Sequence, residues 1–141
     1  MPDIAMACNI DAEPETVFRA ISTSQGVQGW FTSEAEIGEG EGAQHVLTFP
    51  DIPAPWQLRV EQTQSPRQLT LSVLAGPPAW TDTRMTYEIV DRPEGGVVLN
   101  FDHNDFADVE GVRAWTIGWA TKMLALRKYA ETGEPDPFFN P

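Results

Sequence analysis

The sequence is short of basic residues. Nine Lys and Arg stand against 21 Asp and Glu in 141 residues, a formal net charge of −12. Such a surface repels phosphate backbones and anionic headgroups, and no basic stripe offsets it, so neither nucleic acid nor a membrane is an expected partner. Cys8 is the only cysteine, which excludes an intrachain disulfide. No run is long and apolar enough to span a bilayer. The stretch Met1 to Ile10 carries an acid and no basic n-region, so it does not read as a signal peptide, and cytoplasm is the expected compartment. Histidines number two, His45 and His103. With one cysteine they offer no ligand pair at zinc-site spacing, and no metal or cofactor is expected. Neither a Gly-x-Ser-x-Gly elbow nor a nucleophile–base set is present, so no residue is assigned as catalytic.

What the chain does have is apolar pattern. Hydrophobic residues make up 41 %, with five Trp and seven Phe. That is enough for the core of one domain spanning residues 1–141. Ile4, Met6, Cys8 and Ile10 alternate along a first strand. Pro14 suits the first helical position, and Val17, Phe18 and Ile21 supply a short helical face. Thr23 or Ser24 can cap a second short helix running to Phe31. From Glu34 to His103 the period is two, broken by Gly and Pro turns, which predicts about six antiparallel strands. Between Asp108 and Thr132 there is no Pro. Val112, Trp115, Trp119, Met123 and Leu126 recur at spacings of three and four, the buried stripe of one long helix. Gly133 is its natural C-cap. The following Pro-rich end carries Phe138 and Phe139, which give it the means to pack back.

Two glycine- or acid-rich stretches resemble ligand loops without meeting their chemistry. Residues 38–42, Gly-Glu-Gly-Glu-Gly, carry two carboxylates that would repel phosphate and have no following helix, so they read as a turn. Asp102 to Asp105 begins like a calcium loop, but Phe106 stands where an oxygen ligand is needed.

The candidate binding residues follow from strand and helix parity. His103 and Tyr87 are expected as polar points on an apolar wall, able to orient one oxygen of a ligand. His45 also falls on an apolar face. Trp30, Phe31, Trp56, Trp115 and Trp119 are the aromatic candidates for a pocket's walls. Leu47, Phe49, Leu58, Met85, Phe101 and Met123 complete the apolar lining. For each of these the competing reading is a residue that fills the core.

The order of elements, together with Ile10-Asp11-Ala12-Glu13-Pro14-Glu15-Thr16-Val17-Phe18-Arg19-Ala20, Gln28-Gly29-Trp30-Phe31, Thr86-Tyr87-Glu88-Ile89, Phe101-Asp102-His103, Gly118-Trp119 and the ending Leu126 to Glu134, resembles the START-like (SRPBCC) superfamily. The match is to the branch similar to the C-terminal domain of activators of the ninety-kilodalton heat-shock protein's ATPase. The resemblance implies an α+β helix-grip fold, a curved antiparallel sheet around a long C-terminal helix. It also implies a cavity between the two for a small hydrophobic molecule of lipid or polyketide type. Two alternatives accompany it: a cyclase- or hydrolase-type enzyme using His103 and Tyr87, and an acidic, co-chaperone-like interaction domain. A homodimer or a protein partner is left open.

Overall fold

The computed structural model describes residues 3–139. Seven strands form one sheet: β1 (Ile4–Ile10), β2 (Glu34–Ile37), β3 (Gln44–Thr48), β4 (Trp56–Gln64), β5 (Gln68–Ala75), β6 (Arg84–Asp91) and β7 (Val97–Asn104). Three helices accompany them: α1 (Pro14–Ser22), α2 (Ser24–Gln28) and α3 (Val109–Thr132). The spatial order is β1-β7-β6-β5-β4-β3-β2, antiparallel throughout. Consecutive strands from β2 to β7 are neighbours, as short Gly/Pro turns require. Only β1 pairs out of sequence, closing on β7 in a register that sets Ile4 opposite His103.

The sheet is curled, and two register shifts between β4 and β5 bend it where the chain would otherwise run flat. Its inward residues include Trp56, Leu58 and Val60 on β4, and Met85, Tyr87 and Ile89 on β6. On β7 they are Val97, Leu99, Phe101 and His103. The β6–β7 hairpin places Met85 opposite His103 and Tyr87 opposite Phe101, so all four side chains share the concave face. Gly95 and Gly96 make that hairpin's turn at φ of 104° and 75°, a region costly for other residues.

α1 begins at Pro14, whose missing N–H is no loss in a first turn, and buries Val17, Phe18, Ala20 and Ile21. Thr23 Oγ1 caps α2 by accepting from Gly26 N at 3.0 Å. α2 ends at Gln28, short of the expected Phe31, because the next amides fold back in a tighter turn: Gly29 N and Trp30 N donate to Gly26 O and Val27 O. Tyr129 of α3 lies flat against Gly29, where any Cβ would collide with the ring.

α3 starts at Asp108, whose Oδ1 accepts from Gly111 N at 3.1 Å, and stops at Gly133, left-handed at φ 76°. It packs on β1 and α1, with Trp119, Met123 and Leu126 buried. After Gly133 the chain turns back. Asp136 N, Phe138 N and Phe139 N donate to the carbonyls of Gly29, Trp30 and Phe31, and Ser33 N donates to Phe139 O. No helix among the described residues is long and apolar enough to cross a membrane.

Met123 continues the buried stripe of α3 and is packed on all sides. Replacing it by Ala leaves a cavity that the neighbouring strands cannot fill. We expect Met123→Ala to lower unfolding free energy by about 2–5 kcal/mol, measured by urea titration.

Candidate functional site

The space between α3 and the sheet is filled with rings. Trp119 stacks on Trp80 at 5.7 Å with the planes 13° apart, and lies 4.4 Å from Phe101 and 5.8 Å from Phe31, centroid to centroid. Trp56 lies 4.8 Å from Trp80 and 4.2 Å from Phe49. Phe139, brought in by the returning C-terminal segment, sits 4.5 Å from Phe49. Trp30 is buried elsewhere in this layer, its Nε1 donating to Ala20 O at 2.7 Å and so tying α1 to the strip after α2. The residues expected to line a ligand cavity under α3 are therefore largely brought together, but against one another. Leu47, Leu58, Met85 and Met123 are buried with them, and only Trp115 is partly exposed.

His103 and Tyr87 are embedded in that packing. Trp119 Nε1 donates to His103 Nδ1 at 3.0 Å, which makes Nδ1 an acceptor and leaves the proton on Nε2. Nε2 lies 2.8 Å from Thr83 Oγ1, and the Thr83 hydroxyl donates onward to Trp80 O. Both ring nitrogens are thus satisfied. Burial first, and the Lys122 charge second, lower the His103 pKa to about 3, so the ring is neutral at physiological pH. Phe106 covers it from the α3 entry, 4.4 Å away. Tyr87 packs on Phe101 at 5.0 Å, and burial raises its phenol pKa.

Two residues that sequence parity did not single out are as buried as any of these. Trp80 sits in a short 3-10 turn (Pro78–Trp80) inside a Gly- and Pro-rich connection, and its Nε1 finds no acceptor among the described residues. Lys122 is 1 % exposed. Its Nζ lies 4.8 Å from the Phe138 ring, 5.1 Å from Trp119, 5.5 Å from Phe31 and 5.6 Å from Phe139. Trp115 is a fifth aromatic neighbour at 5.9 Å. The chain's other lysine, Lys128, pairs with Asp136 at 3.5 Å, whereas Lys122 has no carboxylate or hydrogen-bond acceptor among the described residues. The ring faces supply part of the missing solvation. Burial still lowers the amine's pKa to about 8.

A cleft does open on the concave side, and it is bounded by α1 rather than α3. It holds about 360 Å³. Phe18, Val60 and Leu69 give it apolar walls, Arg19 and Thr23 a polar rim, and the loop at Gly38 and Gly40 one lip. His45 lines it from β3. The ring is 3 % exposed, burial lowers its pKa to about 4, and no side-chain hydrogen bond satisfies it among the described residues. Neutral imidazole carries one donor and one acceptor, and buried polar groups ordinarily find partners. Here the facing space is the cleft.

A curled antiparallel sheet gripping a C-terminal helix, with a cleft on its concave side, defines the helix-grip class of START-like proteins. Within that class the chain belongs to the family of Activator of Hsp90 ATPase homolog 1-like proteins, whose model matches residues 11–131. Among solved structures it is similar to the Aha1 dimer from Colwellia psychrerythraea, at a TM-score of 0.83 and 19 % identity over 94 % of this chain and 98 % of that one. It is also similar to the protein SSP2350 from Staphylococcus saprophyticus, at 0.79 and 20 % over 98 % of each chain. DynU16, from the dynemicin biosynthetic locus, matches at 0.80 and 19 % over 99 % of this chain and 51 % of that one. At these identities the likeness is one of fold. No curated protein matches the chain.

The depressed lysine has a thermodynamic signature. Between pH 8 and pH 10.5 the unfolded chain holds the Lys122 proton that the folded chain has released, so the residue's contribution to stability rises with pH across that window. Below it the folded protein carries a buried charge. We expect Lys122→Met to raise unfolding free energy by about 1–3 kcal/mol at pH 7, with the gain shrinking toward pH 10.5, read from paired denaturation curves.

Proposed function

We propose that the protein binds a small, largely apolar molecule bearing one polar group, seated in the cleft between α1 and strands β3, β4 and β5. The observation that carries this reading is His45, a neutral ring buried against an apolar-walled cleft with no side-chain partner among the described residues. A ligand hydroxyl or carbonyl would satisfy it. Arg19 and Glu39 place one charge of each sign at the cleft, so the rim favours a polar rather than an acidic ligand end, while Phe18, Val60 and Leu69 would hold the body. In this reading the residues around Trp119, with His103 and Tyr87 among them, act as the rigid wall that keeps the cleft in shape. Both nitrogens of His103 are already bonded, which favours binding over acid–base catalysis at that position. The likeness to DynU16, from the dynemicin biosynthetic locus, is in keeping with a small-molecule ligand.

The test is titration of a fluorescent fatty-acid analogue. His45→Ala should weaken binding roughly 5- to 150-fold, the value of ~1–3 kcal/mol for a hydrogen bond lost inside a pocket, with the fold unchanged by circular dichroism. Equal affinity in His45→Ala and wild type would remove the cleft's polar anchor and the reading with it.

Self-association is a second reading, supported by two apolar side chains one heptad apart on α3: Ile117, 77 % exposed, and Leu124, 52 % exposed. The similar protein from Colwellia psychrerythraea was solved as a dimer. Sedimentation equilibrium should show a dimer that Ile117→Glu weakens, and a monomer at all concentrations would end this reading.

A further inference from the structure

We propose that Lys122 is a carbonyl-reactive amine, the covalent docking point for a small hydrophobic aldehyde or ketone admitted when the C-terminal segment, residues 136–139, lifts away from residues 29–33. This site is separate from the cleft under α1 and does not rest on it. The geometry has three parts. The amine is enclosed by five aromatic rings and meets no carboxylate that would hold it as an ion pair among the described residues. Gly118, one turn earlier on α3, leaves the space over Nζ open, since even a Cβ there would stand only 3.5 Å from it. Finally, one side-chain layer separates Nζ from solvent. The Phe138 ring, 4.8 Å from the amine, is itself 40 % exposed.

That layer is attached in a way that permits removal. Residues 136–139 are held to residues 29–33 by the four backbone hydrogen bonds already described and by the exposed Lys128–Asp136 pair. Pro135 and Pro137 have no N–H to add. A segment held by so few backbone hydrogen bonds opens at far lower free energy than the sheet behind it. Lifting the segment withdraws Phe138 and Phe139 and leaves Phe31, Trp115 and Trp119 as walls. The vacated volume is flat-sided and apolar, matched to an aromatic or conjugated carbonyl compound.

The chemistry follows from the amine's state. With a pKa near 8, roughly a fifth to a quarter of Lys122 is neutral at pH 7.5, against about a thousandth of an ordinary lysine. The neutral amine is the nucleophile. Its lone pair adds to the carbonyl carbon and one amine proton passes to the oxygen, giving a carbinolamine. The new hydroxyl then leaves with the one hydrogen remaining on nitrogen as water, and a C=N bond joins ligand to Nζ. No oxidant or reductant takes part. The walls of Phe31, Trp115 and Trp119 that remain around the imine slow its hydrolysis. Among the described residues, His103 on β7 feels this amine's charge, and it is neutral and bonded to Trp119.

The chain tests this cleanly because it has two lysines, Lys122 and Lys128. Full-length protein is incubated with cinnamaldehyde and sodium cyanoborohydride, which reduces the imine to a stable amine, and the adduct is mapped by peptide mass spectrometry. The expected result is an adduct on Lys122 exceeding that on exposed Lys128 under native conditions. Phe138→Ala/Phe139→Ala should raise the Lys122 rate by about tenfold, as a covering segment loosened by ~1.4 kcal/mol would. Lys122→Arg, which keeps the charge but forms no imine, should abolish the excess. Two outcomes overturn the proposal: adducts confined to Lys128 and the terminal amine in both wild type and the Phe variant, or Lys122 reacting only at urea concentrations that unfold the sheet.

Discussion

The grip of α3 on the sheet depends on Trp119. Its ring covers Phe101 on β7, stacks on Trp80 and meets the edge of Phe31, while its N–H ends on His103. An indole burying so much area supplies a large share of the contact energy between the two layers, and its single donor fixes the angle. The hydrogen bond also decides what His103 is. By occupying Nδ1 it places the proton on Nε2, which Thr83 receives, and Thr83 in turn ties down the turn carrying Trp80. Three parts of the chain, α3, β7 and the β5–β6 connection, thus share one polar chain inside an apolar layer, every member of which is satisfied from His103 through Thr83. Trp80 Nε1 stands outside it.

That filled layer explains why open space lies where it does. Among the described residues, ring packs against ring between α3 and the sheet, and Phe139 joins the same packing. The helix α1 is too short to cover the sheet's other end in the same way. It spans Pro14–Ser22, and beyond Phe18 it presents Arg19, Ser22 and Thr23 to β3 and β4 across a gap. The cleft is the difference in length between a helix of two turns and one that crosses the whole sheet.

Much of this was legible in the sequence. The alternation of Met85, Tyr87 and Ile89 and of Val97, Leu99, Phe101 and His103 defined the concave face correctly, because strand parity is a strict period of two. The α3 stripe was equally clear, and Gly133 marked its end. Lys122 escaped because lysine is read as a surface residue, although its position carried a signal: it lies three residues after Trp119 and seven after Trp115, on their own face of the helix. Trp80 lay in a Gly- and Pro-rich connection with no period to place it. The cleft beside His45 depended on how closely α1 approaches β3, a distance that no residue pattern encodes.

The pairing of β1 with β7 has a consequence for how the chain reaches this state. Ile4 finds its partner only at His103, and between them lie two helices and five strands that pair locally. The hairpins from β2 to β7 form from neighbours in sequence, but the first strand must wait until β7 exists. A chain leaving the ribosome therefore carries Ile4 and Ile10 unpaired until β7 has been made. Closure of β1 onto β7 is then a late, long-range step that completes the sheet and, at the same time, the bed on which α3 rests.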